Sequence, residues 1–471
     1  MPDREPPVPP HAATGRDLTG QHTVAGRNVP AQGVVAGRNV PVQGAAAAAG
    51  RDVAGQHAVR GLQIPAQTLW QLDVCNACRY CEGYCAVFPA LERRRRASPR
   101  DVVYLANLCH DCRACYYACM YAPPHAFGVN IPQALAAVRE RTYAQYALPR
   151  VASDLAQRHG LLLGLATLAA LVFFGLLIAL SGDPRRAFEP HQGPGAFYAV
   201  VPYLGMMLPA MLLSLYAIGV LLGGAFGFLS DTAGLPAAGV ADAVASSQAG
   251  RADTAGSPLA SVAEAPGSPQ DGAIGSSRGS GRVPWRALLG AAREAASLRY
   301  LRGGTAGGCT YPTARVSNGR LVLHMLVFYG FLVAVAATIS AFILQDLFGQ
   351  LPPYPVLSVP VVLGSLGGLG MVVGATGLLW LKVRSDRAPT DGRMLGLDWL
   401  FLLSLDVVSI TGFLLLVLRD SPAMGILLVV HLATVLALYI TAPYGKFAHL
   451  VYRYAALVQN RLETTAATSR G

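Results

Sequence analysis

The sequence predicts an all-α protein in two parts, a cysteine-bearing helical domain and a domain of six transmembrane helices. Three observations carry this. Only 13% of the 471 residues are charged against 53% hydrophobic, a balance typical of a chain that lives partly in lipid. Eight of the nine cysteines fall between positions 75 and 119, ahead of the first long apolar run. Behind them come six apolar segments, at 160–181, 198–224, 321–345, 356–382, 396–418 and 423–445, each about long enough to cross a bilayer as a helix.

Taken in order, residues 1–66 are rich in Gly, Pro, Ala, Gln and Arg and carry a near-duplicate, AGRNVPAQG at 25–33 and AGRNVPVQG at 36–44. Two degenerate copies fall short of a solenoid, and so few aromatics predict a disordered tail. It contains no compact apolar run of the kind a cleavable signal peptide needs. Residues 67–150 hold the cysteines and a polar helical stretch, IPQALAAVRERTYAQY. The first two spans occupy 160–224, and the Ala, Gly, Ser and Pro of 230–284 make a disordered linker. WRALLGAAREAASLRYLR opens a basic amphipathic segment, 285–320, expected on the membrane surface. The last four spans lie in 321–450, and 451–471 reads as a C-terminal tail.

The net charge of +11 is better explained by topology than by nucleic acid, because the arginines border the apolar segments. Arg139, Arg141, Arg150 and Arg158 precede the first span, and Arg302, Arg315 and Arg320 the third. Lys382, Arg384, Arg387 and Arg393 join the fourth and fifth, and Lys446, Arg453 and Arg461 follow the sixth. The alternate loops are nearly free of Lys and Arg, with Arg185, Arg186 and Arg419 the exceptions. Positive charge stays on the cytoplasmic side, so both termini, the cysteine domain and the linker are expected there, on an inner membrane. In that reducing compartment clustered thiols favour metal over disulfides.

Both cysteine groups follow C-x2-C-x2-C-x3-C: Cys75, Cys78, Cys81 and Cys85, then Cys109, Cys112, Cys115 and Cys119. Three thiolates two residues apart let one tight loop wrap three corners of an iron–sulfur cubane. In two-cluster ferredoxins the fourth cysteine ligates the other cluster. The expected sets are therefore Cys75, Cys78, Cys81 and Cys119 for one [4Fe–4S] cluster, and Cys109, Cys112, Cys115 and Cys85 for the other. The proline usual after the fourth cysteine is replaced by Ala86 and Met120. Structural zinc is the rival, but it prefers paired C-x2-C knuckles. Two such clusters make an electron conduit, and its attachment to a membrane domain points to delivery of electrons into the bilayer. Cys309 reads as a free cytosolic thiol, and His125 as a structural residue beside the second cluster.

Three histidines fall in or at the ends of the last four spans: His324, His431 and His449. His431 and His449 are spaced to share one helix face about 27 Å apart. The third and sixth spans run antiparallel, so His324 and His449 meet near the cytoplasmic side, as a bis-imidazole haem b site or an interhelical hydrogen-bonding pair. His431 lies nearer the other face, level with Gln345. Lys446, Arg453 and Arg320 serve either to neutralise haem propionates or a quinone head group, or simply topology. In the fourth span Gly364 and Gly368, then Gly370 and Gly374, have the spacing that permits close helix approach.

The strings CNACRYCEGYCAVFPALERRR, LCHDCRACYYACMYAPPHAFGVNIPQALAAVR, GGCTYP, HMLVFYGFLVAVAATISA and APYGKFAHLVYR resemble the tricarballylate (citrate) utilization protein B family over roughly 70–229 and 285–460. The resemblance implies a membrane partner of a separate FAD-dependent tricarballylate-type dehydrogenase, an oxidoreductase component that passes electrons from the reduced flavin through its clusters to quinone. It implies haem b, with His324 matching the histidine ahead of YGF. Met325 stands where relatives often carry a second histidine, and Gln345 where another is expected. The membrane half is also distantly similar to the haem-bearing gamma subunit of respiratory nitrate reductase.

Two other functions compete with this one. A stand-alone membrane iron–sulfur reductase would need a further cysteine-rich domain, and only Cys309 is spare. A redox-sensing membrane protein would need an output domain. The chain has no dinucleotide fingerprint, so FAD and NAD are expected elsewhere.

Overall fold

The computed structural model describes residues 23–24, 27–28, 58–158, 160–181, 183–233, 283–302 and 308–468. The chain divides into two compact units, Met1–Asp52 and Val53–Gly471. In the first, β1 (Thr23–Val24) pairs antiparallel with β2 (Arg27–Asn28). The disorder expected of 1–66 and 230–284 lies mostly outside the described residues.

The second unit opens with a hairpin, β3 (Ala58–Val59) against β4 (Leu62–Gln63), turned at Arg60 and Gly61, both with positive φ. Val59, Leu62 and Ile64 are buried, so the ordered domain begins before residue 67. Five helices follow: α1 (Ala66–Cys78), α2 (Val87–Glu92), α3 (Pro99–Leu108), α4 (Ala114–Tyr117) and α5 (Ile131–Tyr146). The start of α3 is fixed locally. Ser98 and Asp101 form a reciprocal capping box, and Pro99 occupies the first turn, where its missing N–H costs nothing. Its residues Val102–Leu108 are all buried, and the helix ends as the backbone turns extended at Cys109.

After α6 (Arg150–Ala156), the membrane half consists of α7 (Leu161–Ser181), the short α8 (Ala196–Val200), α9 (Tyr203–Ala233), then α10 (Trp285–Ala296), α11 (Gly319–Asp346), α12 (Val359–Val383), α13 (Gly392–Val417), α14 (Met424–Thr441) and α15 (Ala448–Thr468). Among the described residues, six helical stretches are long and apolar enough to cross a membrane, the last running over Met424–Thr468. The chain is therefore a multi-pass membrane protein.

That last stretch corrects two expectations. Between α14 and α15 a short 3-10 turn, Ala442–Tyr444, is followed by extended backbone at Gly445. Pro443 has no N–H to donate, and its ring excludes the carbonyl four residues back, so one continuous helix does not form. His431 and His449 therefore do not share a helix face. The expected tail is instead α15, with Tyr452 and Ala455–Asn460 buried, docked on α3, α9 and α10. Two of its partners come from the RRRR run. Arg93 donates to Asn460 at 2.7 Å, and Arg94 pairs with Glu463 at 2.7 Å and with Asp101.

The expected surface helix, α10, is pinned to α15 by Arg461–Glu294 at 2.9 Å and by Tyr454 donating to the Leu288 carbonyl at 3.1 Å. Trp285 and Leu289 remain exposed. In the membrane, α11 and α12 pack at backbone contact. A Cβ on Gly330 would come within 2.8 Å of the Gly367 carbonyl, and one on Gly374 within 2.7 Å of the Leu323 carbonyl. The stripe facing α11 is thus Gly367, Gly370 and Gly374, while Gly368 faces Phe413 of α13.

The soluble domain grips one end of this bundle. Asn130 donates to the Ala388 carbonyl at 2.7 Å, Arg113 to Thr390 at 2.9 Å, and Tyr117 to Asp386 at 2.8 Å, all in the α12–α13 loop. The basic loops thus gather where the cysteines are.

Candidate functional site

The two cysteine loops are built alike. In each, the residue after the second cysteine takes a left-handed conformation, Arg79 with φ 54° and Arg113 with φ 64°, and Asp111 joins them at φ 53°. A side chain in this region costs about 1–2 kcal/mol, and it bends the loop so that successive thiols turn inward. Cys75 and Cys78 sit on α1 and Cys115 on α4, while Cys85, Cys109 and Cys119 lie just beyond helix ends.

The structure brings the thiols together in two crossed sets. Cys75, Cys78, Cys81 and Cys119 line one small cleft with Tyr80, Phe88 and Tyr121. Burial, then the neighbouring Cys119, raises the thiols of Cys75 and Cys81 to about 12. In the other set Cys85 is pushed well up by burial and then by Cys112 and Cys109, and Cys115 by burial and then by Cys112, Cys85 and Cys109. Cys115 also feels Cys81, so the two sets are neighbours. Thiols crowded and buried in this way ionise only beside positive charge, which is what iron at the centre of each set would supply. The Asp111 N–H donates to the Cys109 sulfur at 3.4 Å, a bond suited to a thiolate. Eight thiols in two crowded, neighbouring groups are also the donor number that two cubanes take. The donor set fits iron–sulfur clusters.

The second loop is clamped from several directions. Its Cys109 carbonyl accepts from Arg139 of α5 at 2.6 Å and also from Arg453 of α15. Arg320 of α11 donates to the Asp111 carbonyl. Arg113 and Arg320 lie over the Tyr311 ring, 4.5 and 4.6 Å from its centroid. Cys309, expected as a free cytosolic thiol, is unpaired with another cysteine but buried, only 1% exposed, and donates to the Cys112 carbonyl at 3.4 Å. Thr310 donates to the same oxygen at 3.3 Å. The sequence offered one trace of the arginine clamps: Arg320 and Arg453 stand four residues from His324 and His449, on the same faces of their helices.

Those histidines meet. Their ring centroids are 6.1 Å apart, with the planes at 82°. An iron taking one nitrogen from each ring at about 2 Å, the usual metal–imidazole length, holds centroids about 6 Å apart. His449 Nδ1 donates to the Lys446 carbonyl at 2.6 Å, which leaves Nε2 with its lone pair free to ligate. His324 Nδ1 is buried without a hydrogen-bond partner. An orphaned imidazole nitrogen facing a second, oriented imidazole fits a bis-histidine metal. Of the three basic residues assigned to haem propionates, a quinone head group or topology, Arg320 and Arg453 reach the cysteine loop, and Lys446 pairs with Asp398 at 2.7 Å, whose other oxygen takes Lys382.

The first set faces outward. Cys78 is exposed, and Trp70, Tyr80, Met120 and Phe127 around it are 37%, 58%, 61% and 45% exposed. His125 belongs to this side rather than to the second loop. Its Nδ1 accepts from the Phe127 N–H at 3.0 Å, and its ring stands edge-on to Tyr121.

Comparison with known proteins agrees with this division. The family profile described as citrate utilization protein B matches residues 272–470, and the profile of its Fer4-like domain matches 68–145. The chain is 38% identical over 402 residues to citrate utilization protein B of Escherichia coli, covering 85% of this chain and 93% of that protein. No solved structure matches. With an iron–sulfur type domain ahead of its membrane helices, the chain belongs to the citrate utilization protein B family.

Proposed function

We propose that this protein is a membrane-bound electron conduit. It reoxidises the reduced flavin of a partner FAD-dependent dehydrogenase of the tricarballylate or citrate type and delivers the electrons to quinone. Cys75, Cys78, Cys81 and Cys119 hold one [4Fe–4S] cluster, and Cys109, Cys112, Cys115 and Cys85 the other. His324 and His449 hold haem b in a membrane half of the nitrate reductase gamma kind. When bound, these groups store and pass single electrons.

One observation carries the reading: the candidate ligands form a line. A quartet whose Cys78 is exposed adjoins one whose Cys109 and Cys112 are buried, and the loop of the second is gripped by arginines one helical turn from the histidine pair. The residues do the rest. Trp70, Tyr80, Met120 and Phe127 offer the partner an apolar collar around the outer quartet. Arg139, Arg320 and Arg453 hold positive charge against the inner quartet, whose four thiolates leave it anionic when loaded. The basic loops at that end favour a cytoplasmic soluble domain and cytoplasmic termini on an inner membrane.

Protein purified without oxygen is expected to carry about eight cluster irons per chain, cubane EPR signals on reduction, and a haem absorption band. His449→Ala should remove that band and His431→Ala should keep it. Zinc in place of iron, or a reduced partner flavin that the loaded protein leaves reduced, would defeat the conduit.

A further inference from the structure

A cavity of about 350 Å³ lies among α11, α12, α13 and α14, on the side of the histidine pair away from the soluble domain. Its walls are mostly apolar, with a few polar groups. His431 lines it from α14, and Ser409 from α13. Ser409 is only 6% exposed, and its hydroxyl oxygen has no hydrogen-bond partner. A buried hydroxyl left unpaired costs about 1–3 kcal/mol, and a ligand in the cavity that Ser409 lines would complete it.

Two further features define that ligand. Val335 and Thr338 of α11 line the cavity and are exposed on the outer face of the bundle, where lipid lies, so entry is lateral and the ligand is lipid-soluble. Glycines supply the width. A Cβ on Gly412 would press on the His431 ring at 3.1 Å, while one on Gly364 would meet only Ala337, at 3.8 Å. His431 Nδ1 is 3.1 Å from the Thr411 hydroxyl, which orients the ring. Imidazole and hydroxyl can each donate or accept. That pair suits a flat ring that presents carbonyls when oxidised and hydroxyls when reduced. The cavity also adjoins the electron path: Phe331, one of its lining residues, contacts Phe447, two residues before His449, with ring centroids 5.0 Å apart.

We propose that this cavity binds the ring of a membrane quinone, with His431 and Ser409 as its hydrogen-bonding groups. The proposal rests on the conduit reading above and adds to it the place and the residues.

The test is photolabelling of the full-length, cluster-loaded protein in lipid nanodiscs with an azido-ubiquinone, competed by decylubiquinone. The expected label lies in peptides spanning 405–416 or 431–439. Ser409→Ala should weaken competition roughly five- to tenfold, the loss of one hydrogen bond. Gly364→Val, which narrows the cavity where a side chain meets little, should abolish the label while leaving the cluster EPR signals unchanged. Competed label elsewhere, unaffected by both variants in protein that still reduces quinone, overturns the site and leaves the conduit standing. Absence of both competed label and quinone reduction in the unaltered protein overturns the conduit and the site with it. Two haems per chain, one of them lost in His431→Gln, would make the cavity a haem pocket and also overturn the proposal.

Discussion

The two cysteine loops share a spacing and a left-handed residue at the same position, yet their surroundings differ in every other respect. The first, around Cys78, is exposed and bordered by apolar side chains that are themselves exposed. The second, around Cys112, is buried, and its carbonyls are held by α5, α11, α15 and the segment 309–310. An identical ligand motif therefore leaves the role of a site open, and the environment assigns it. On the proposed conduit, one loop is the entrance and the other a relay fixed to the membrane half.

The sharpest way to break this comparison is through the fourth cysteines. Cys85→Ser should remove the same EPR signal as Cys112→Ser, and Cys119→Ser the same as Cys78→Ser, each leaving about four of eight irons. A signal shared by Cys85→Ser and Cys78→Ser would uncross the sets. Next in size is Asp398→Asn. It leaves Lys382 and Lys446 buried with no carboxylate between them, and breaking such a group costs about 3–5 kcal/mol. Thermal unfolding should register that loss. Because the Lys446 carbonyl orients His449, haem content should fall while the outer cluster's signal stays.

A smaller effect isolates the relay. Arg453→Gln withdraws a buried cation from the Cys109 carbonyl, so the inner cluster should become harder to reduce in an EPR-monitored potential titration. The outer cluster should not move, and equal shifts in both would mean the two sites share one electrostatic environment. The smallest expected change is at the entrance. Met120→Glu should weaken association with the reduced partner flavoprotein, read by the concentration needed for flavin reoxidation, with both clusters intact.

Much of this could be read from the sequence, where the cause is local. Cysteine spacing sets loop geometry within a dozen residues, and apolar length sets the positions of the spans, although the second, expected over 198–224, runs over Tyr203–Ala233. The meeting of His324 with His449 also followed from depth alone, since antiparallel helices bring their opposite ends level. The break at Gly445 escaped although the apolar segment 423–445 ends there, because a helix can run on past its apolar part, and Pro443 ahead of Gly445 was the further sign. The clamps on Cys109 and Cys112 escaped for a different reason: their donors lie 30 to 344 positions away, and no periodicity encodes such pairings. The glycine stripe was legible as a spacing, but which of its residues faced α11 depended on how α12 is rotated.

The grip of Arg453 on the Cys109 carbonyl also sets a clock. All four thiols of the outer quartet exist once Cys119 has been synthesised, whereas the inner loop acquires its last support more than three hundred residues later. At about 5–20 residues per second, the ribosome separates the two events by tens of seconds, with α7 to α14 synthesised in between. On the conduit reading, the inner loop then gains its last support only after most of the bundle that it serves has been made.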